Sequence, residues 1–355
     1  MKALVLSGGS GSRMRPFSHT SAKQMIPVAN KPVLFYALES IAGADIKEVA
    51  IVVGDAAAEI RHAIGDGSQF GLAVDYIHQE RPLGLAHAVA VARDWLGDED
   101  FLMYLGDNFL EDGIRAPVER FREQRPSAQV LLTRVPDPSS YGIAYVDDAT
   151  GRITRLAEKP AHPASDMAVV GVYCFSPEIH QAVRRLTPSA RGELEITDAI
   201  QLLIDDGATV RSETISSFWR DVGTVTGALE VNRAVLDRIA SRFDGHIDHA
   251  SDVSGPVIVE AGARVASSTV IGPAIIGQGS HVVDSVVGPY ASIADKCDIS
   301  SSIIDTSIVL SGTIIADVTR IAGSFIGRDV TLVSAGMSRA HRLVLGDHSW
   351  ADLPA

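Results

Sequence analysis

Apolar residues follow two rhythms along the first two thirds of the chain. Continuous runs at Ala3-Leu4-Val5-Leu6, Val49-Ala50-Ile51-Val52-Val53 and Phe101-Leu102-Met103-Tyr104-Leu105 read as strands covered on both faces. Helical periods lie between them. Ala56 to Ile64 predicts a helix capped by Asp55 and closed by Gly65. Gly84 to Leu96 predicts a second, with Leu85, Val89, Ala92 and Leu96 on one face, and a third runs to about Asp206. Val74 to His78 adds a short strand. The alternation implies an α/β fold with a largely parallel sheet, whose ligands bind beyond the carboxyl ends of strands. From Ala128 to Phe175 helices are missing. Gln129–Val135, Gly142–Val146, Ile153–Ala157 and Val169–Phe175 predict a partly antiparallel extension, so the central sheet is mixed.

The rhythm changes again at about Gly255. Apolar residues recur at Val259, Val265, Ile271, Ile276, Val282, Val287, Ile293 and Ile299. They continue at Ile304, Val309, Ile315, Ile321, Ile326 and Leu332. The step is mostly six with several fives, and Gly follows in Ile271-Gly272, Ile276-Gly277, Val287-Gly288 and Ile326-Gly327. This hexapeptide repeat predicts a parallel β-helix, with the apolar residue inside and the small residue at a tight corner. A β-sandwich would show period two and longer turns. The tail from Ala335 reads as a cap, with Trp350 plugging the open end. Two domains are expected, residues 1–241 and 242–355. Long flat β-helix faces also predict a homo-oligomer.

Composition narrows the function. Lys+Arg 31 against Asp+Glu 44 gives a net charge of −13, which argues against a sequence-independent nucleic-acid binder. It leaves a phosphorylated small molecule open, because local charge decides that. Cys174 and Cys297 lack metal-ligand spacing and read as buried, idle thiols. The first apolar run is too short for a signal peptide, and no stretch is long enough to span a bilayer. A cytoplasmic protein with no membrane partner is the expectation.

The candidate chemistry begins at Leu6-Ser7-Gly8-Gly9-Ser10-Gly11-Ser12-Arg13. A Gly-rich turn after a first strand exposes backbone N–H groups and lets the chain approach an anion. Arg13 and Lys23 add fixed positive charge for phosphate oxygens. No third Gly opens a helix as in a dinucleotide fingerprint, and no Gly-Lys-Ser/Thr follows as in a Walker loop. Asp107, in Leu105-Gly106-Asp107-Asn108, is a strand-end carboxylate able to ligate Mg²⁺ between phosphates or to serve as a turn residue. Glu158 can accept from sugar hydroxyls and Lys159 can neutralise a sugar phosphate, or Glu-Lys-Pro is an exposed strand end.

The full pattern, Gly-Gly-x-Gly-x-Arg-x-x-Pro followed by Lys-Gln-x-x-Pro-Val, closely resembles the signature of sugar-1-phosphate nucleotidylyltransferases. Further blocks extend the resemblance from Met1 to about Asp237. They include Pro82-Leu83-Gly84-Leu85-Ala86, Tyr141-Gly142, Gly192-Glu193-Leu194-Glu195-Ile196-Thr197-Asp198 and Trp219-Arg220-Asp221-Val222-Gly223-Thr224. Within the family it is nearest the long-form glucose-1-phosphate thymidylyltransferases. Ser7, Ser12, Met14 and Val222 depart from the commoner Ala, Thr, Leu and Thr, which bears on fine specificity and not on the charged chemistry.

The resemblance implies a Rossmann-like nucleotidylyltransferase domain followed by a left-handed parallel β-helix. It implies Mg²⁺-dependent in-line attack of glucose 1-phosphate on the α-phosphate of dTTP, feeding deoxysugar biosynthesis. Arg13, Lys23 and Lys159 would be catalytic. Gly8, Gly9, Gly11, Gln24, Gln79, Gly84 and Asp107 would bind the nucleotide. Gly142, Glu158, Lys159, Gly171 and Arg191 would bind the sugar phosphate, and Asp107 and Asp221 the metal. Three alternatives stay open. One is a UTP-using or broad-specificity enzyme. Another is a bifunctional enzyme whose β-helix is an acyltransferase, with His281 the only candidate histidine well inside the repeat. The last is a silent scaffold, which intact Arg13, Lys23, Asp107 and Asp221 oppose.

Overall fold

The buried apolar runs are the central strands of a nine-stranded sheet in the computed structural model, which describes residues 1–9, 14–17, 21–147, 149–334 and 343–353. In chain order its strands are β1 Lys2–Ser7, β2 Glu48–Val53, β3 Ala73–His78, β4 Phe101–Leu105, β5 Ala128–Arg134, β6 Gly142–Asp147, β7 Arg152–Glu158, β8 Met167–Phe175 and β9 Val210–Thr214. Their order across the sheet is β3-β2-β1-β4-β8-β5-β9-β7-β6. The first four run parallel. β8 is antiparallel to β4 and β5, β9 is parallel to β5, and β7 is antiparallel to β9 and β6. The sheet is therefore mixed. Leu4, Val5, Val49, Ile51, Phe101 and Met103 are fully buried, as continuous apolar runs covered on both faces must be.

Local differences from the sequence pattern have local causes. The helix Ala57–Ile64 has Ala56 at its N-cap with no side-chain cap, so Asp55 does not serve; Ala57 N–H bonds Gly54 O at 3.1 Å instead. Gly65 closes it at φ +63°, as a C-cap glycine should. The predicted helix from Gly84 to Leu96 breaks at Ala92 into Leu85–Val91 and Arg93–Leu96, and Val89, Ala92 and Leu96 still pack in the core.

The chain forms two compact units. The first is Met1–Gly9 with Leu34–Trp219, and it holds the large sheet; the second is Ser10–Val33 with Arg220–Ala355. In the second, short strands stack as three parallel sheets of seven, seven and five strands. Up to the last two pairings each strand pairs with the one three places on, so Val265 lies beside Val282 and Ile258 beside Ile275, 17 residues later, an interval that shortens to 16 at Ile299 and Ile315. Three repeat steps of six, six and five make the interval of 17, which is why the hexapeptide pattern winds into a three-sided coil. Val259, Val265, Ile276, Val282, Val287 and Ile293 fill its interior. The repeat position Ile271 is corrected by one residue. Val270 is the inward centre of Thr269–Ile271, aligned with Val253 and Val287, and Ile271 is 37% exposed. Trp350 is corrected too. It lies on strand Trp350–Leu353 with its side chain 70% exposed, while Ala351 packs on the interior, so it plugs nothing. Residues 335–342 of the expected cap lie outside the described residues.

One corner of the coil carries a serine column. The N–H groups of Ser285, Ser302 and Val318 each bond the serine hydroxyl one turn earlier at 3.1 Å. Those serines donate to Ala266 O, Val283 O and Ser300 O at 2.7 Å, so corner amides that the strands leave over are satisfied. Cys174 and Cys297 are free and buried, and burial pushes the Cys297 thiol up to about 11. Among the described residues no helix is long and apolar enough to cross a membrane.

His180 gives the first unit a pH-dependent stability. Its ring stacks on Phe101 at 5.6 Å, and its buried Nε2 has no hydrogen-bond partner among the described residues. Burial, then the charges of Arg93 and Arg184, push its pKa from 6.5 down to about 4. The folded state keeps the ring neutral where the unfolded chain takes a proton. The stability from neutral His180 is therefore complete above pH 6.5 and is lost as pH falls toward 4. A His180→Phe variant should show a shallower fall of Tm between pH 6.5 and 4 than the parent. Parallel Tm curves would contradict a neutral His180.

Candidate active site

Beyond the carboxyl ends of β1, β2 and β3 lies an open pocket with about 510 Å³ of empty space, including its mouth. Leu6, Gly8 and Gly9 line it from β1 and its turn, Val52 from β2, and Gln79 from just after β3. Pro82, Gly84, Leu85, Ala88 and Glu193 complete it. A strand-end position is where an α/β sheet leaves room for a ligand. The walls are mostly apolar and the polar groups few, as in a pocket that grips a flat ring by its faces and reads its edge. Gly9 turns the chain at φ +113°.

Gln79, 8% exposed, presents a carboxamide to this pocket. Its Nε2 bonds His87 Nδ1 at 2.8 Å and Gly84 O at 3.4 Å. Its Oε1 lies on the Gly8 side, 3.2 Å from where a Cβ on Gly8 would stand. The loop Leu83–Ala86 is tied to Leu194 by Leu194 N–H to Leu83 O at 2.8 Å and Ala86 N–H to Leu194 O at 3.0 Å. Gly84 has φ +104°, and a Cβ there would meet Leu194 O at 2.4 Å and Leu194 N at 2.7 Å.

Glu193 connects this pocket to a charged cluster. Its carboxylate accepts from Arg191 Nη2 at 2.9 Å, and Arg191 Nη1 reaches Glu158 at 3.2 Å and Glu195 at 3.8 Å. Glu158 also accepts from Thr197 Oγ1 at 3.2 Å and lies 3.7 Å from Lys159 Nζ. Gly142 is directly opposite Glu158 in the β6–β7 register, and a Cβ there would lie 3.0 Å from Thr197 and 3.2 Å from Glu158. The missing side chain leaves that carboxylate uncovered. Lys159 sits at φ 40°, a left-handed conformation that a non-glycine residue adopts at a cost. Five charged groups, three acidic and two basic, thus meet beside the pocket.

Asp107 ends β4. Its Oδ1 accepts from Asn108 Nδ2 at 2.8 Å, and Asn108 Oδ1 accepts from Trp219 Nε1 at 2.8 Å. Burial, then the Asp107 charge, push the Tyr104 phenol up. Gly171 lies against the same turn, with room for no Cβ between Leu105 at 2.7 Å and Asn108 at 2.9 Å. The described residues hold no group of three or more His, Cys, Asp or Glu side chains arranged for a cation. A cation that takes one or two carboxylates and completes its shell with water and substrate phosphates needs no such cage, and a strand-end Asp107 fits that donor set.

In the second unit, Lys23 and Gln24 form a single turn of 3₁₀ helix, Lys23–Met25, with Gln24 only 4% exposed. Asp221 ends the strand Trp219–Asp221, just before Thr224 caps the helix Val225–Leu236 by accepting from Gly227 N–H at 3.0 Å. Gly11 and Arg13 lie outside the described residues. The first unit therefore gathers Gly8, Gly9, Gln79 and Gly84 in one pocket, and Gly142, Glu158, Lys159 and Arg191 in the adjoining cluster. Sequence reasoning did not assign Glu193, Thr197 or His87 to a site. Glu193 and Thr197 stand in the motif block Gly192–Asp198 and were findable there; His87 carried no such signal.

The family model for nucleotidyl transferases matches residues 2–238. The chain belongs to the nucleotidyl transferase family. This nucleotidyl transferase is 57% identical over 354 residues to a glucose-1-phosphate thymidylyltransferase of Streptomyces griseus, covering 99% of each chain. It is 55% identical over 355 residues to a protein of the same name from Streptomyces antibioticus, again over 99% of each. The low-salt glycan biosynthesis nucleotidyltransferase Agl11 of Haloferax volcanii is 43% identical over 354 residues, 98% of this chain and 99% of that one. A Bacillus anthracis protein solved with sucrose superposes with a TM-score of 0.62 at 33% identity, over 68% of this chain and 98% of that one. Nucleotidyl transferases of this kind use a divalent metal, a nucleoside triphosphate and a sugar 1-phosphate.

Proposed function

We propose that the protein transfers the thymidylyl group of dTTP to glucose 1-phosphate, giving dTDP-glucose and pyrophosphate, and so feeds deoxysugar biosynthesis in the cytoplasm. The observation that carries this is the 57% identity, over 99% of both chains, to a protein named for that activity. The strand-end pocket and its adjoining charged cluster supply the two kinds of subsite the reaction needs. The pocket takes the base, with Gln79 and Gly84 reading its edge, and the motif alone assigns Gln24 to the nucleotide. Gly8, Gly9 and Gly11 present backbone N–H groups to the triphosphate, and Arg13 and Lys23 hold its negative charge as it shifts toward the leaving pyrophosphate. Asp107 and Asp221 hold Mg²⁺, which when bound neutralises the reacting phosphates.

The hexose lies over Gly142 and Gly171, with Glu158 accepting from its hydroxyls. Lys159 and Arg191 meet its phosphate. Arg191 is engaged by Glu158, Glu193 and Glu195 here, so an arriving phosphate displaces one of these carboxylates and frees it for a sugar hydroxyl. Residues 1–241 act as the catalytic domain and 242–355 as a left-handed β-helix through which copies of the chain associate. His281 sits exposed on the coil, 3.0 Å from Asp298, and nothing about this pair favours an acyltransferase.

Nucleotide choice tests the pocket. With Gln79 Nε2 held by His87, its Oε1 is left to accept the N3–H of thymine or uracil. Cytosine presents an acceptor at N3, so CTP leaves two acceptors facing each other and should be strongly rejected. Uracil lacks only a methyl, and one methyl in an apolar pocket is worth about 1–3 kcal/mol. Expected kcat/KM with glucose 1-phosphate is highest for dTTP, roughly tenfold to a few hundredfold lower for dUTP, and lowest for CTP, with UTP a measurable second substrate. A preference for UTP over dTTP overturns the thymidylyl assignment, and comparable CTP turnover overturns the role of Gln79.

A further inference from the structure

One face of the coil is built to be covered. Along it Ile258, Ile275, Ser292, Ile308 and Phe325 stack in register at the outward position of successive strands. Ile275, Ser292, Ile308 and Phe325 are 4%, 0%, 1% and 0% exposed. The matching column on the next face, Arg264, His281, Asp298 and Ile314, lies open to solvent. The cover includes the helix Val225–Leu236 and the segments Met14–Phe17 and Ser21–Asn30 of the same unit. Leu236 and Ala29 cluster with Ile275, the Phe17 ring lies 4.4 Å from the Phe325 ring, and a Cβ on Gly346 would stand 2.9 Å from Pro16.

A single buried amide ties these parts together. Asn232, 1% exposed, accepts the Ala29 N–H at 2.8 Å and the Ser292 hydroxyl at 2.7 Å through Oδ1, and its Nδ2 reaches Tyr290 O at 3.4 Å. Ala29 and Asn30 form the tip of the small hairpin Pro27–Val28/Lys31–Pro32, at φ 48° and 60°. Left-handed backbone at an alanine is unfavourable by roughly 1 kcal/mol and persists only where its surroundings hold it. Two bonds do so: the one from Ala29 to Asn232, and Asn30 Nδ2 to Ile293 O at 2.7 Å on a coil strand.

We propose that Asn232 is a positioning residue for nucleotidyl transfer, whose buried carboxamide clamps the hairpin following Lys23-Gln24 to the β-helix, so that the coil sets the conformation of the catalytic segment. This rests on the placement of Lys23 and Gln24 on the nucleotide proposed above. A nucleotide-binding segment displaced by about 1 Å loses on the order of a hundredfold in rate.

The test compares Asn232→Ala and Asn30→Ala with Val282→Ala, which opens the coil interior away from the segment. Steady-state kinetics with dTTP and glucose 1-phosphate are read beside Tm and amide hydrogen exchange over residues 28–31. Either clamp variant should lower kcat/KM for dTTP roughly ten- to a hundredfold and speed exchange at Ala29 and Lys31. Val282→Ala should lower Tm while leaving kcat/KM and that exchange within about twofold of the parent. Asn30→Ala removes one half-buried bond and adds the roughly 1 kcal/mol left-handed cost of an alanine at φ 60°, which keeps the comparison valid where Asn232→Ala fails to fold. Wild-type kcat/KM in the clamp variants, or an equal kinetic loss in Val282→Ala, overturns the proposal. Lys23→Ala separates the two ways this can fail. If it is inactive while the clamp variants are normal, the clamp is wrong; if it is fully active, the placement of Lys23 on the nucleotide is wrong.

Discussion

Asp107→Asn is expected to fold as the parent does and to lose turnover by roughly 10²–10³-fold. The substitution is nearly isosteric. An asparagine Oδ1 can still accept from Asn108 Nδ2, which now bonds Asp107 at 2.8 Å, so the strand-end turn and its link to Trp219 remain. Only the negative charge goes. On the metal role proposed for Asp107 and Asp221, the substitution removes one of the two protein carboxylates that would join the substrate phosphates in holding Mg²⁺. The loss should be steepest at limiting Mg²⁺ and ease as Mg²⁺ rises, and Asp221→Asn should behave alike. Near-normal turnover at limiting Mg²⁺ in either variant would remove that residue from the metal site.

Gly84→Ala should cost nearly as much activity, by a different route through the strand-end pocket. Its φ of +104° suits glycine alone, and the added Cβ would stand 2.4 Å and 2.7 Å from backbone atoms of Leu194. Backbone cannot yield as a flexible side chain does. Relief requires the Leu83–Ala86 loop and Leu194 to part, breaking the two hydrogen bonds between them and carrying Glu193 out of the pocket wall. The expected result is a loss of about a hundredfold in kcat/KM for dTTP and a fall in stability of roughly 1–3 kcal/mol. Gly71→Ala is the control. Gly71 has φ +70° with nothing within 4 Å of an added Cβ, so it brings backbone strain without collision. It should lower Tm and spare kcat/KM. Equal kinetic losses in the two variants would show that collision with Leu194 is not what matters.

What sequence could say depended on the range of the interaction. The runs at Ala3–Leu6, Val49–Val53 and Phe101–Leu105 announced their strands because burial on both faces is written in consecutive residues. The coil announced itself because its interval of 16 or 17 is a sum of local steps. Errors arose where a neighbour decided between two apolar residues. Val270 rather than Ile271 points inward because Val253 and Val287 lie beside it in register, which no single stretch reveals. Trp350 read as a plug on size alone, whereas strand alternation turns Ala351 inward instead. In the site, Gly8, Gly9, Gln79 and Gly84 were legible as motif residues. Glu193 was passed over because its place depends on a loop pairing more than a hundred residues from Gln79. Asn232 was invisible, since an asparagine within a helix shows nothing of partners at Ala29 and Ser292.

The stacked face of the coil works as a ruler laid along the N-terminal segment. Its marks are one strand spacing apart, about 4.8 Å, and the segment touches particular ones: Ala29 and Asn30 at the turn holding Ile275 to Ile293, Phe17 at the turn holding Phe325. Inserting or removing a whole turn between those marks would leave the coil itself intact, because the turns share one three-sided winding and one apolar interior. It would also slide one fixing point past the other by a full division, farther than a closely packed segment can follow. Length changes in such a coil are therefore free beyond the last mark the segment uses and forbidden between the marks.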